Sequence, residues 1–221
     1  MITKKGRFLI RYKKIDNEYL ESFNFDKLEE KYQDIKKFYS FEKDLNLIRI
    51  CFIYNPEEFL FFTGREFNQN WMCAMVGYHN TINIFSPSVM EKLTIHKKES
   101  IFDTISHEIS HLFYGYLRLV DFPLFNEGIA KYHGNNKCNN KINFHLPSLK
   151  GGKDSRYNYG VGHLIICSIM EHFGDEGAKK IIEFLRESSI EMSEEDLFNS
   201  FKKIFGMDAD SLIELKGGKE K

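Results

Sequence analysis

The sequence predicts an α+β fold, with a small mixed β-sheet in the N-terminal half followed by a mainly helical half. Short apolar runs bounded by turn signals lie mostly before residue 90, amphipathic helical patterns dominate after residue 99, and no repeat or linker interrupts the 221 residues. Strand patterns segregated from helical patterns are typical of this class. We therefore divide the chain into an N-terminal amphipathic helical segment, 1–44, and one domain, 45–215. The domain comprises a sheet at 45–90, helices carrying the candidate site at 99–135 and C-terminal helices at 157–215.

The N-terminal half combines a helix with short strands. Residues 17–43 have apolar side chains at helical spacing with charged residues between them, which predicts an amphipathic helix. The run LNLIRICFIY, 45–54, predicts a strand that ends at Asn55-Pro56. The remaining elements of this half are a short helix around PEEFLFF and two strands, 71–78 and 81–86, joined at His79-Asn80.

From Glu99 onward the pattern is helical. ESIFDTISHEISHLFYGYL predicts one helix, and LFNEGIAKYHG predicts a shorter one after Pro123. The stretch 135–156 is rich in Asn, Gly and Lys, and we interpret it as a loop insertion. YNYGVGHLIICSIMEHFG predicts a buried helix that ends at Gly174. Two further helices, at about 175–187 and about 193–205, are each opened by an Asp or Ser capping signal.

Composition limits the classes of function. Lys and Arg number 31 against 32 Asp and Glu, and this balance argues against nucleic-acid binding, which needs a basic excess. No window reaches the ~18 apolar residues of a membrane span. The N-terminus has no apolar stretch of signal-peptide length, and the cysteines form no CxxC pair and suggest no disulfide framework. We therefore predict a cytoplasmic protein without a membrane span or a nucleic-acid partner, whose oligomeric state the sequence leaves open.

The stretch TISHEISHLFYG, 104–115, has the residue types of a metal site. On a helix that advances about 100° per residue, His111 lies about 40° and Glu108 about 100° from His107, whereas the apolar side chains fall on a separate stripe. Two histidines four residues apart can both reach one zinc ion. Glu108 is turned aside from them and could take the proton of a zinc-bound water. Gly115 also lies on the side of the helix that carries the histidines, and it has no side chain that would cover them.

A catalytic zinc ion needs a third protein ligand, and Glu127 is the next candidate. It follows His111 by 16 residues, which is enough chain for a second helix to pack back against the first. Gly128 permits close contact between the two helices. Two alternatives remain open. In the first, Glu127 is an exposed first-turn glutamate that the helix dipole favours. In the second, both histidines form their hydrogen bonds within a structural domain and bind no metal ion.

HEISH followed by NEGIA resembles the gluzincin metallopeptidases, and most closely their small peptidase-MA-like domains. The likeness extends to the order of elements between residues 45 and 187. It implies a thermolysin-like catalytic core in which His107, His111 and Glu127 bind Zn²⁺ and Glu108 is the general base. It also implies that a tyrosine three residues before a glycine, at a later helix start, stabilises the oxyanion. YNYG places Tyr157 in that position; Tyr159 is the alternative donor, and His163 ranks behind both.

Two departures from the gluzincin pattern bear on mechanism. Thermolysin-like enzymes have an aspartate four residues after the ligand glutamate, which orients a zinc histidine. Here that residue is Lys131, which cannot accept a hydrogen bond from imidazole, so the acceptor must lie elsewhere, with Asp103 and Asp121 as candidates. The stretch CAMVGYHN lacks the glutamate of the aminopeptidase Gly-x-Met-Glu-Asn segment, which weakens an exopeptidase function. Its edge strand could still hold an extended peptide through backbone groups.

The sequence thus predicts a zinc-dependent metallopeptidase that hydrolyses peptide bonds in a peptide or protein substrate. The alternative is a binding or regulatory module that has the zinc-peptidase fold without useful turnover. A narrow regulatory protease that cleaves one repressor ranks lower, because HExxH regulators of that kind usually lack the NEG-x-A segment.

Overall fold

The structure is a computed structural model that describes residues 1–134, 146, 148–152 and 155–217, without the side chains of 155, 156 and 215–217. Within these residues the strands are β1 (Ile2–Lys5), β2 (Phe8–Arg11), β3 (Ile48–Ile53), β4 (Ala74–Gly77) and β5 (Thr81–Phe85). The helices are α1 (Asn17–Ser22), α2 (Phe25–Phe38), α3 (Pro56–Thr63), α4 (Met90–Leu93), α5 (Ile101–Tyr116), α6 (Pro123–Gly134), α7 (Ser155–Phe173), α8 (Asp175–Glu187), α9 (Glu194–Phe205) and α10 (Ala209–Gly217).

The five strands form one mixed sheet in the order β1-β2-β3-β5-β4. The β2–β3 and β3–β5 pairs are parallel, and the β1–β2 and β4–β5 pairs are antiparallel. In the described part of the chain every strand ends before residue 90, and the longest helices follow it. The predicted mixed sheet in the N-terminal half and the mainly helical C-terminal half are therefore confirmed.

The first eleven residues differ from the predicted N-terminal helical segment, because they contribute β1 and β2 to the sheet. Each strand has only four residues, and in β2 the side chains of Phe8 and Ile10 are buried while Leu9 and Arg11 are half-buried. Two buried side chains are too few to give a clear alternating pattern in the sequence. The predicted helix over 17–43 is also divided into α1 and α2, which are separated at Phe23-Asn24.

Helices α5 and α3 lie on opposite faces of the sheet. On one face Ile50 and Phe52 of β3 pair with Ile82 and Ile84 of β5, and all four side chains are buried. Ile105 of α5 lines an apolar space with this face. On the opposite face Phe59 of α3 stacks on Phe85 of β5, with ring centroids 5.3 Å apart.

The chain divides into two compact units. The first consists of Met1–Ile35 and Phe41–Leu112 and contains the sheet. The second consists of Lys36–Ser40 and Phe113–Lys221 and contains helices α6 to α10. Within the second unit, α6 and α7 form the most extensive helix–helix packing.

A buried carboxylate, Asp16, connects the start of the helical region to the ends of two strands in the first unit. It accepts hydrogen bonds from Ser86 Oγ at 2.7 and 2.8 Å, from Tyr54 Oη at 2.5 Å and from the Ser88 N–H at 3.3 Å. Only 1% of Asp16 is exposed, so solvent water cannot reach these donors and accept hydrogen bonds in place of the carboxylate.

We expect Asp16→Ala to lower the free energy of unfolding by about 2 to 3 kcal/mol, because it leaves buried donors without an acceptor. Chemical denaturation followed by circular dichroism measures this loss. Asp26→Ala is the matched control, because Asp26 is an exposed aspartate in the first turn of α2. Equal stability of the two variants would contradict the role assigned to Asp16.

Part of the predicted 135–156 loop insertion lies outside the described residues, namely 135–145, 147, 153 and 154. The described part is anchored to three helices of the second unit. Leu146 N–H donates to Asp210 at 3.0 Å, and Glu194 accepts from Ser148 Oγ and the Leu149 N–H at 2.8 and 3.1 Å. Asn158 makes two hydrogen bonds with the backbone of Gly152, at 2.9 and 2.8 Å. Helix α7 therefore follows an anchored segment.

None of the helices in the described ranges is long and apolar enough to cross a membrane. Cys51 and Cys73 are free cysteines. Cys167 of α7 is disulfide-bonded, so the expectation of a chain without disulfides does not hold at this residue.

Candidate metal centre

Helix α5 separates an apolar stripe from a polar one, as the sequence predicts. The side chains predicted to face the core are almost all buried, namely Ile101, Ile105, Ile109, Leu112 and Phe113. His107 and His111 are half-buried on the other stripe. Glu108 is 7% exposed, so its carboxylate lies in a largely dry environment beside the histidines.

The imidazole rings of His107 and His111 face each other through the same ring nitrogen. Their Nε2 atoms are 3.0 Å apart, and the ring centroids are 4.7 Å apart at an interplanar angle of 80°. Two ligands of a tetrahedral zinc ion at ~2.0–2.1 Å are about 3.3 Å from each other. The histidine pair therefore has the spacing that one shared metal ion requires.

Glu127 of α6 adds a third side chain with a candidate ligand atom. One atom from each of His107, His111 and Glu127 lies within 4.8 Å of the other two, and all three residues are half-buried. This is the one group of three or more metal-ligating side chains that the described residues bring together. Two imidazoles and one carboxylate suit zinc as well as other divalent transition metals. The three side chains thus fit a metal ion with open coordination positions.

A close helix crossing in the second unit fixes the part of α6 that carries Glu127. A Cβ atom added to Gly128 would lie 2.5 Å from the carbonyl carbon of Gly162, and one added to Gly162 would collide with the carbonyl oxygen of Leu124. Real Cβ atoms do not approach this closely, so both glycines are needed for α6 and α7 to touch through their backbones. The sequence assigned Gly128 to a close contact between α5 and α6, whereas the structure places Gly128 against Gly162 of α7.

Cys73 is next to Glu108 in the first unit. Its Sγ atom is 3.9 Å from Thr104 Oγ1 on the polar stripe of α5. Burial and the neighbouring charge of Glu108 raise the pKa of the Cys73 thiol to about 12. Cys73 is therefore a neutral thiol at physiological pH, and it lies beside the proposed base.

Tyr157 lies on a different side of α7 from Tyr159 and His163. Measured from Gly162, which faces α6, Tyr159 at about 60° and His163 at about 100° share one flank, and Tyr157 lies at about 140° in the opposite direction. Burial raises the pKa of Tyr157, with smaller contributions from Asp210 and Glu194. Tyr157 therefore lies on the side of α7 turned away from α6, within electrostatic reach of these two carboxylates. Tyr159 is half-buried and His163 is buried.

The proposed orienting groups for the histidines are exposed side chains. Asp103 is exposed in the first turn of α5, where it interacts electrostatically with Lys31. Asp121 is exposed and accepts a hydrogen bond from the Asn126 side chain at 3.3 Å. Lys131 is half-buried, and this burial lowers its pKa.

The sequence does not predict the contacts of Gly162 and Asn158. The pattern assigns Gly162 to a buried helix, although the GVG spacing in YNYGVGHL marks two glycines in a helix interior, where glycine needs a packing reason. Asn158, which anchors Gly152, has no sequence signal of its own because its partner is a backbone group.

Neither known protein-family models nor curated protein sequences match this chain. A functional proposal therefore rests on the geometry of His107, His111 and Glu127 and on the chemistry of the residues around them.

Proposed function

We propose that the protein is a zinc-dependent metallopeptidase that hydrolyses peptide bonds in a peptide or protein substrate. The observation that carries the proposal is the group of His107, His111 and Glu127, whose ligand atoms lie within 4.8 Å of one another. A buried glutamate follows the first histidine and is not a member of this group. Three ligands with a separate carboxylate beside them are the minimum set for hydrolysis by a metal-activated water.

Each residue of the proposed site has a separate task. A bound zinc ion would polarise the scissile carbonyl and lower the pKa of the attacking water. His107, His111 and Glu127 hold the ion, and the helical spacing of the two histidines sets their separation. Glu108 accepts the proton of the attacking water at its carboxylate and then delivers it to the leaving amine. The low exposure of Glu108 keeps bulk water from competing for that proton.

Strand β4 offers a binding edge for the substrate. In the described chain it pairs with β5 alone, so its other edge takes part in no strand pairing there. The Phe85 N–H donates to the Cys73 carbonyl at 2.9 Å, and inward and outward groups alternate along an antiparallel strand. Ala74 and Val76 therefore direct their backbone groups outward, where an extended peptide can pair with them. Because Cys73 lies beside Glu108, a peptide on this edge passes close to the proposed base.

Metal analysis tests the proposal directly. We expect the purified protein to bind one zinc ion per chain and His111→Ala to lose it, because two remaining ligands hold zinc poorly. The zinc-loaded protein should cleave members of a diverse peptide pool, and the variant should not. His172→Ala is the matched control, because His172 lies in the last turn of α7, outside the ligand group. Zinc absent from the wild-type protein would refute the metallopeptidase, and stoichiometric zinc without cleavage would favour the binding or regulatory module.

Tyr157→Phe and Tyr159→Phe together identify the oxyanion donor. We expect one of them to lower kcat by about a hundredfold with little change in KM, because a phenol that binds only the transition state contributes nothing to ground-state affinity. The sequence resemblance favours Tyr157, and the orientation of α7 relative to Gly162 favours Tyr159. Steady-state kinetics on one cleaved peptide measures both variants. Unchanged kcat in both would exclude a phenol from this role.

The cellular location is a further part of the proposal. The composition and the free thiols of Cys51 and Cys73 favour the cytoplasm. The disulfide at Cys167 favours an oxidising compartment. Fractionation of the native cells, with the thiols alkylated at lysis, decides between the two.

A further inference from the structure

We infer that Cys51 is a modification site, at which hydrogen peroxide oxidises the thiol to a sulfenic acid that Arg11 and Asn83 hold by hydrogen bonds. The site lies in the sheet of the first unit, outside the metal centre, and its chemistry does not depend on the proposed peptidase. The evidence is a half-buried free thiol that lies between two buried polar atoms, a donor and an acceptor.

Arg11, Cys51 and Asn83 occupy one row across three neighbouring strands. Cys51 of β3 pairs with Arg11 of β2 on one side and with Asn83 of β5 on the other. Neighbouring strands lie about 4.8 Å apart, and paired residues direct their side chains to the same face of the sheet. This is the face opposite α5, because Cys51 alternates with Ile50 and Phe52. The thiol therefore has the arginine and the asparagine as its cross-strand neighbours.

Each of these two neighbours has a polar atom that is buried and unsatisfied. Among the described residues, neither Arg11 Nε nor Asn83 Oδ1 has a hydrogen-bond partner, and Asn83 as a whole is only 2% exposed. Such atoms are rare in native proteins, because each gives up its hydrogen bond to water on burial. One atom is a donor and the other is an acceptor. A group between them that both accepts and donates would therefore satisfy the two together.

The two side chains are directed toward the strand of Cys51. Helix α3 packs on β4 and β5, and the Arg11 guanidinium lies 4.1 Å from the ring centroid of Phe62 in this helix. The Arg11 side chain thus begins on β2 and extends across β3. A Cβ atom added to Gly77 of β4 would lie 2.9 Å from Asn83 Nδ2, so the amide nitrogen leans toward β4. The amide oxygen, on the other side of the amide carbon, faces β3.

A sulfenic acid has the two hydrogen-bonding capacities that this row requires. When hydrogen peroxide reacts with the thiol, an S–O bond forms and the O–O bond breaks. The sulfur is oxidised by two electrons, and the second peroxide oxygen leaves as water. The new hydroxyl oxygen accepts from Arg11 Nε–H, and its hydrogen is donated to Asn83 Oδ1. The reduced thiol is a weak donor and a weak acceptor, so it satisfies neither atom well.

Cys73 provides a comparison within the same unit. It is only 7% exposed, and burial together with the neighbouring charge of Glu108 raises the pKa of its thiol to about 12. Peroxide reacts with the thiolate and needs access to the sulfur. Cys73 should therefore stay reduced under conditions in which Cys51 is oxidised.

Mass spectrometry of the oxidised protein tests the inference. The protein is treated with hydrogen peroxide in the presence of dimedone, which forms a stable thioether with a sulfenic acid, and is then digested with trypsin. Cys51 and Cys73 fall in separate tryptic peptides, 50–65 and 66–92, so each residue is quantified by itself. We expect the dimedone yield on peptide 50–65 to exceed that on peptide 66–92 at least about tenfold.

Two variants test the flanking side chains. Arg11→Met and Asn83→Leu each remove one of the buried polar atoms and keep the approximate size of the side chain, and each should lower the dimedone yield at Cys51 about fivefold. Arg49→Met is the matched control, because Arg49 lies two residues before Cys51 on the same face and donates to the His79 carbonyl at 2.7 Å. It removes the same charge and should leave the yield unchanged.

Two results would overturn the inference. The first is peptide 50–65 without dimedone, or with no more of it than peptide 66–92. The second is an equal yield at Cys51 in Arg11→Met, Asn83→Leu and Arg49→Met, which would mean that water satisfies the flanking atoms. Circular dichroism shows whether each variant is folded, and Arg11→Met decides alone if Asn83→Leu is not. A wild-type protein that binds no zinc would refute the peptidase and leave this inference standing.

Discussion

Replacing Glu108 with glutamine should lower kcat for peptide hydrolysis by about a thousandfold while zinc stays bound. Glutamine has almost the same size as glutamate, but its amide cannot accept the proton of the attacking water. Glu108 is not one of the three clustered ligand residues, so the metal affinity should change little. Metal analysis and steady-state kinetics on the same preparation measure the two effects separately.

Glu99→Gln is the matched control for this experiment. Glu99 is an exposed glutamate just before α5, and its replacement should leave both zinc content and kcat at wild-type values. Two outcomes would contradict the role of Glu108. Hydrolysis by Glu108→Gln at the wild-type rate would mean that another group takes the proton. Loss of zinc from this variant would instead make Glu108 a ligand.

Gly162→Ala should lower the free energy of unfolding by about 4 kcal/mol, which is more than a surface substitution in a helix can cost. The added methyl group would collide with the backbone carbonyl of Leu124, and a backbone group cannot move aside as a flexible side chain can. Helices α6 and α7 must therefore separate. Since Gly128 packs on Gly162 and adjoins Glu127, the zinc affinity should fall together with the stability. Chemical denaturation and a competitive zinc titration measure the two losses.

Gly160→Ala provides a control in the same helix. No atom lies within 4 Å of the position that its Cβ would occupy, so the substitution meets no obstacle. Because alanine is the better helix former, this variant should be more stable by about 0.5 to 1 kcal/mol. Similar destabilisation by both alanines would show that the loss does not arise from the collision at the helix crossing.

The sequence predicted the elements that carry strong periodic patterns. The HEISH helix is amphipathic over its length, and the structure confirms both α5 and its buried stripe. Strands β3, β4 and β5 were predicted within a few residues, and the turn at His79-Asn80 is confirmed by positive φ angles of 56° and 57°. The group of His107, His111 and Glu127 also follows from sequence, because helical spacing determines the first pair and a short connection limits the reach of the third residue.

The features that the sequence did not predict depend on contacts between distant residues. Strands β1 and β2 are recognisable only through their pairing with each other and with β3. The role of Gly162 depends on Leu124 and Gly128, which belong to another helix. The direction in which Tyr157 faces depends on the angle at which α7 packs, and a four-residue motif contains no information about this angle. Identity and spacing thus predict the three clustered side chains, whereas the choice between the candidate tyrosines needs the tertiary structure.

The anchoring of residues 146 to 152 has a consequence for how this protein can vary in evolution. Asp210, Glu194 and Asn158 hold the chain directly before α7, and α6 ends at Gly134 in its own packing with α7. The groups held in this segment are mainly the backbone N–H groups of Leu146, Leu149 and Gly152, which every residue type except proline can supply. Descendants of this chain should therefore retain the three acceptor side chains more strictly than the hydrogen-bonded residues that they hold.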